Sequence, residues 1–433
     1  MAQLSFKAAG LAMGVTGTLA FAAPALAQQD TEAMQRQLDA LRAQVERMEQ
    51  QLDAQQSTTT ADSSQATSET RDLAEENRSL IDSLQNSQIS GTLQLNASYN
   101  DWDQANKDKA GDMNFGKFVL ALNGEHGNFL YGFDYRFYDG YQFLKSGWMG
   151  YQASENDTVK VGLVQTPFGN MDYGYLGWYG TLPYLSGFND NQNAGIKWDH
   201  TQGAWDTSLA FFKSDQLGDG NEHYGANPVG NSAQGNTAEN QLAGRVAYTF
   251  GQGTDYTTEI NFSAKGGQLY NNQTNDSGSN WQAAVGLNGS YGSWLTQLQA
   301  TAYEYDAENP DNTGISDDVM QIGAFAFNYL IPAEGQMYSA SLGYSMNVDW
   351  GDIDNLYFYN DFSYVSPEGD YSPSGDGSSV DDPMLNDLGM KVTAGPYYAW
   401  FSVIANKNAL GYFGSPTDGD WHTSVQSNFG FNF

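Results

Sequence analysis

Ten lysines and two arginines follow residue 88, and seven of them fall at one parity of alternating segments. Lys117 lies opposite Phe118, Leu120 and Leu122, and Arg136 lies within the aromatic run 129–138. Lys160 sits between Val159 and Val161, Lys197 between Ile196 and Trp198, and Arg245 between Gly244 and Val246. Lys265 falls opposite Ile260 and Phe262, and Lys391 opposite Met390 and Val392. Asp134, Asp199 and Glu259 share the same parity. A row of fixed cations interrupted by carboxylates can attract and orient charged solutes, but it makes and breaks no covalent bond. Nucleophilic chemistry has little to work with. The chain has no Cys and four His, namely His126 in an expected turn, His200 at a strand end, His223 in a loop and His422 at the start of the last strand. None has a nearby Ser in a nucleophile setting. Asp349, Asp352 and Asp354 lack the ligand set of a calcium loop. No enzyme activity, cofactor or metal is expected.

Those charges need elements of period two. In residues 129–138, Phe129, Tyr131, Phe133, Tyr135 and Phe137 form an unbroken aromatic face, so Asp134 and Arg136 must point the other way. The chain ends the same way, with Thr423, Val425, Phe429, Phe431 and Phe433 on one face and His422, Ser424, Gln426, Asn428 and Asn432 on the other. Segments of about ten alternating residues, 14% aromatic content and 27 Tyr are the marks of a transmembrane β-barrel with aromatic belts. A charge facing lipid at mid-membrane costs about 2–4 kcal/mol, which by itself sends charges inward. It does not explain why so many are basic in a chain of net charge −33. The loops are densely acidic, so a polarised channel is expected, with negative mouths and a partly basic inner wall. The same acidity disfavours nucleic acid as a partner.

Residues 1–27 read as a secretory signal peptide, with Lys7, an apolar run from Ala8 to Ala23 and the cleavage pattern Ala25-Leu26-Ala27. In residues 28–56, Met34, Leu38, Leu41, Val45, Met48 and Leu52 form a heptad seam, which predicts a periplasmic coiled coil joining protomers. A single helix on the barrel rim is the alternative. Residues 57–88 are a polar linker with a second short helix at Leu73, Asn77, Leu80 and Leu84.

The barrel occupies residues 89–433. About seventeen strand-like segments can be read, but both ends on the periplasmic side demand an even count. The clash falls between residues 290 and 355, where 335–348 does not satisfy the turn lengths on both sides. Sixteen strands are expected, with eighteen as the alternative, and sixteen leave an aqueous channel. Tight links are expected at His126-Gly127, Gly251-Gln252-Gly253 and Gly395-Pro396, and long extracellular links at 101–112, 167–192, 215–236, 268–279, 305–316, 365–383 and 408–420. The loop 167–192 carries Tyr173, Tyr175, Leu176, Trp178, Tyr179, Leu182, Tyr184, Leu185 and Phe188, apolar surface that is costly to expose. Folded into the channel it forms a constriction, with Asn170, Asp172, Asn189 and Asp190 as its polar groups. Covering a neighbouring protomer is the alternative.

Four features together resemble the phosphate-selective porin O/P superfamily, and within it the coiled-coil-bearing dicarboxylate channels. They are the heptad helix, the run Val161-Gly162-Leu163-Val164-Gln165-Thr166-Pro167-Phe168-Gly169, the run Leu388-Gly389-Met390-Lys391-Val392-Thr393-Ala394-Gly395-Pro396, and the ending Asn428-Phe429-Gly430-Phe431-Asn432-Phe433. The resemblance implies a sixteen-stranded trimeric channel of the Gram-negative outer membrane, passing small, often anionic, solutes. Its partners would be outer-membrane lipid and lipopolysaccharide. Phosphate-specific members carry an arginine ladder, whereas Arg136 and Arg245 are the only arginines of this barrel. A broader porin for small hydrophilic solutes of carboxylate or phosphate type therefore fits better. A carbohydrate or cation-leaning porin, and a structural envelope tether anchored by the barrel, are the alternatives.

Overall fold

The computed structural model describes residues 87–433 apart from 312, 376–378 and 411–413, together with 43, 47 and 50. The chain divides into two units, residues 1–84 and 85–433. Ala43, Arg47 and Gln50 are helical and exposed, with Arg47 Nε donating to Ala43 O at 2.9 Å. The signal peptide, the seam from Met34 to Leu52 and the second helix lie outside the described residues.

Among the described residues, sixteen antiparallel strands close a barrel. They are β1 (Ser87–Asn100), β2 (Asp112–His126), β3 (Phe129–Phe137), β4 (Gln142–Gln152), β5 (Asp157–Gln165), β6 (Gln192–Gln202), β7 (Trp205–Ser214), β9 (Asn236–Phe250), β10 (Tyr256–Asn271), β11 (Ser277–Tyr291), β12 (Trp294–Asp306), β15 (Glu334–Trp350), β16 (Ile353–Glu368), β17 (Met384–Ala394), β18 (Tyr397–Lys407) and β19 (His422–Asn432). The first begins two residues before the expected boundary at Ile89. Apolar surroundings offer backbone amides no partner, so a membrane sheet must close on itself. Here β1 pairs with β19 from Thr92↔Asn432 to Asn100↔Ser424. Phe433 finishes the seam by exchanging hydrogen bonds with Gly91, at 2.9 and 3.1 Å. A Cβ on Gly91 would stand 2.3 Å from the Phe433 ring and 2.6 Å from Val119 O, so only glycine lets the two ends meet.

The remaining strands, β8 (Asn227–Pro228), β13 (Val319–Ala324) and β14 (Phe327–Pro332), form a separate three-stranded sheet. They account for the surplus segment. The clash does lie between 290 and 355, but it belongs to 319–332, and the suspected segment 335–348 is part of barrel strand β15. Six-residue strands are too short to cross a bilayer, which takes about 9–11 residues. Phe325 and Ala326 turn the hairpin at φ 52° and 65° and donate to His223 O and Asn221 O, both at 2.9 Å. The two long segments 215–235 and 307–333 are thereby tied into a cap at the loop end. The link expected at 268–279 is instead mostly strand, since β10 runs to Asn271 and β11 starts at Ser277.

Outside, Phe129, Phe133, Leu209, Phe262, Leu298, Leu342 and Val403 are exposed, as a lipid-facing surface requires. Inside, polar faces are interrupted by small clusters around Phe212 and around Tyr359 and Trp400, and by a larger one beneath the cap. There Met337, Val365, Leu385 and Ile404, all 0% exposed, pack with Leu182, Phe188, Ile322 and Ile331 in one apolar cluster. Replacing Phe133 by Arg is expected to cost about 2–4 kcal/mol. Urea unfolding of the barrel in phospholipid vesicles measures it; an unchanged midpoint would mean that Phe133 does not face lipid.

Candidate functional site

The segment 166–191 leaves β5 and crosses the lumen before returning to β6. Its backbone and side chains attach to the inner faces of strands far around the barrel. Gly169 N donates to Ser263 Oγ on β10 (2.8 Å), and Arg245 Nε on β9 donates to Gly169 O (2.9 Å). Asn170 N donates to Gln299 Oε1 on β12 (2.8 Å), which also accepts from Asn189 Nδ2 (2.9 Å). On β16, Asp361 accepts from Leu176 N (3.0 Å) and Gly177 N (2.6 Å), and Ser363 Oγ accepts from Leu182 N (3.0 Å). On β19 the Asn428 carboxamide, oriented to satisfy its neighbours, accepts from Trp178 Nε1 (2.7 Å) and donates to the Tyr179 hydroxyl (3.0 Å). Gly177 is required by close approach, because a Cβ there would meet the Tyr359 ring at 2.2 Å. Pro183 opens the single helical turn α2 (Leu182–Leu185), which places Leu182 and Leu185 in the cluster under the cap. α1 (Gln104–Asp108), capped by Asp103, ends the loop between β1 and β2.

Between this segment and the wall formed by β3–β6 remains a cavity of ≈ 310 Å³. The strands contribute Lys145, Trp148, Lys160 and Lys197, and the segment contributes Asp172, Tyr173 and Asp190. Asp134 lines it too and holds Arg136 in a two-pronged pair at 2.9 and 3.0 Å. Lys145 Nζ meets both oxygens of Asp190, at 3.0 and 3.2 Å. Lys197 pairs with Asp199 at 3.1 Å, whereas Lys160 stands 3.8 Å from the same carboxylate and 4.7 Å from the centre of a Trp148 ring. Lys117 is stacked on Trp178 (4.3 Å) and shares the field of Arg136 and Lys145.

The other expected basic residues lie apart from this cluster. Arg245 pairs with Glu259 at 2.5 Å on the β9–β10 wall. Lys265 is half-buried behind the cap, beside a cavity of ≈ 10 Å³ shared with Asn280 and Tyr305. Lys391 lies 5.2 Å from Trp400 and 5.8 Å from Tyr398. Of the segment's aromatics, Tyr179 is buried, Tyr173 is 50% exposed, and Tyr175 lies between Tyr173 and Tyr184 with its ring tilted to both.

Alternation missed Lys145. Anchored on the exposed Met149 and Tyr151, it sends Lys145 outward; a bulge opposite Asp134/Tyr135 reverses the parity and turns Lys145 in. A lysine otherwise condemned to lipid was the available signal. Tyr224, from the cap, had no such signal. Its hydroxyl donates to Asp190 (2.5 Å), and its ring lies 4.1 Å from Lys145 Nζ and 4.8 Å from Arg136 Cζ. Burial and then the Asp190 carboxylate push this phenol well above its ordinary range, so it remains a neutral donor.

Two outcomes follow. Asp361→Ala deprives two segment amides of their acceptor, at about 1–3 kcal/mol each. Limited proteolysis should then cut faster within 171–180; an unchanged rate would mean that Asp361 does not hold the segment. His223 is buried in the cap, and burial lowers its pKa from 6.5 to about 4. Between those values the unfolded cap binds a proton that the folded cap refuses, so cap stability is full above pH 6.5 and is lost as pH falls toward 4. Hydrogen-exchange protection across 215–235, taken relative to the intrinsic rate at each pH, should fall over that window, and His223→Gln should flatten the dependence.

No family model and no curated protein sequence matches this chain. Solved structures do. The chain is similar to the outer membrane channel DcaP of Acinetobacter baumannii, with TM-score 0.50 and 11% identity over 80% of this chain and 97% of that one. It is also similar to OmpF of Salmonella typhi, solved in complex with daunomycin, with TM-score 0.52 and 10% identity over 80% of this chain and 97% of that one. At such identities the likeness is one of fold, a closed sixteen-stranded barrel.

Proposed function

We propose that this chain is an outer-membrane porin, a passive diffusion channel for small hydrophilic solutes that favours those bearing carboxylate or phosphate groups. The supporting observation is the pairing of a closed sixteen-stranded barrel with a segment that crosses its lumen and leaves one charged cavity beside β3–β6. Around that cavity five cations, Lys117, Arg136, Lys145, Lys160 and Lys197, meet four carboxylates, Asp134, Asp172, Asp190 and Asp199. The excess is small, so the preference is weak and comes from field and width rather than tight capture. The printed description of the A. baumannii neighbour as an outer membrane channel agrees with this reading. In it, the chain is exported by residues 1–27, residues 28–56 form a periplasmic coiled coil, and three copies assemble amid lipid and lipopolysaccharide. A carbohydrate slide has less support, since Tyr398 and Trp400 are 8% and 9% exposed and occupied by their neighbours.

Planar-bilayer recording tests the selectivity. Lys160→Gln combined with Lys197→Gln should lower the chloride-to-potassium permeability ratio roughly two- to threefold, the scale of partly screened charges. An unchanged reversal potential in a salt gradient would refute the basic-wall reading.

A further inference from the structure

The charges around the cavity are not equally engaged. Asp190 is saturated by Lys145, Tyr224 and Gln192. Asp134 holds Arg136, and Asp199 accepts both Lys197 (3.1 Å) and Ser208 Oγ (2.6 Å). Lys117 is buried over the Trp178 ring and does not line the cavity; of the groups that do line it, two are left over. Lys160 is 3.8 Å from an Asp199 already neutralised by Lys197, and its side chain keeps 28% exposure. Asp172 lines the same cavity on the segment side, is exposed, and makes no hydrogen bond or ion pair through its carboxylate with any described residue. It lies within electrostatic reach of Lys160. Its position is fixed nonetheless, because Gln165 Nε2 donates to its backbone carbonyl at 2.5 Å. One under-used cation and one unpaired carboxylate therefore face a single chamber.

Trp148 underlies Lys160, and the half-exposed Tyr173 follows Asp172. Both offer flat apolar surface, and an ammonium beside an aromatic face gains cation–π attraction. The volume, ≈ 310 Å³, lies at the small end of ligand sites, which begin at about 300 Å³. A simple carboxylate would meet Lys160 but be repelled by Asp172, and a simple amine the reverse. A molecule carrying both groups is attracted at each end.

We propose that this cavity is a binding station for small zwitterions of the α-amino acid class, with the carboxylate at Lys160 and the ammonium at Asp172. The inference rests on the channel reading and narrows it to carboxylates that also bear an ammonium group. The full-length protein in a planar bilayer is titrated with L-phenylalanine, 3-phenylpropanoate and 2-phenylethylamine, and the concentration that half-blocks the ion current is read for each. Phenylalanine should half-block at a concentration roughly 2- to 5-fold lower than either one-charge analogue, the scale of a partly exposed ion pair. Asp172→Asn should erase its advantage over 3-phenylpropanoate, Asp172→Glu should keep it, and Lys160→Gln should weaken block by both carboxylates. A conducting channel with no preference for phenylalanine, or one whose preference survives Asp172→Asn, overturns this inference alone. A protein that conducts no ions overturns the channel reading and this inference with it.

Discussion

Everything in this barrel follows from the need to pair backbone amides where no water can. Closure through β1 and β19 meets that need, and the Gly91–Phe433 exchange is its last step. Sixteen strands enclose more space than their own side chains fill. The space is taken by the chain itself. The segment 166–191 enters the lumen because Leu182, Leu185 and Phe188 find an apolar wall there, and because its exposed amides find acceptors on Ser263, Gln299, Asp361 and Ser363. What it leaves open is off-centre, against β3–β6.

This arrangement divides the inner charges into two kinds. Most are internal fixtures. Arg245 with Glu259 anchors the segment's start, and Lys145 with Asp190 and Tyr224 joins the segment, the wall and the cap. Such pairs hold geometry and contribute little net field, since each cation is matched at hydrogen-bond distance. Lys117 and Lys391 lie over aromatic rings instead, while Lys160 and Asp172 face the cavity without a matched partner of their own. An account of selectivity that counts every inward lysine equally would overstate the field.

Much of this was legible beforehand, for specific reasons. Strict alternation in 129–137 and at the C-terminus sets which side meets lipid, because a charge there costs about 2–4 kcal/mol. Parity of the two ends removes an odd strand count, but alternation cannot show which segment is surplus. The hairpin 319–332 alternates as a barrel strand does, and only its six-residue arms and its contacts with His223 and Asn221 set it apart. Lys145 was hidden by a bulge, which inverts parity without changing composition. Tyr224 and Asp361 were invisible for another cause: their roles come from contacts across 34 and 185 residues of chain.

The central claim is that segment 166–191 restricts an otherwise wide aqueous lumen. Single-channel conductance of the full-length protein, compared with a variant in which residues 170–188 are replaced by a short Gly-Ser link, tests it most directly. Discrete conductance steps in the native chain and clearly larger steps in the variant are the predicted result. Equal conductance in the two, or no current from either, would contradict it.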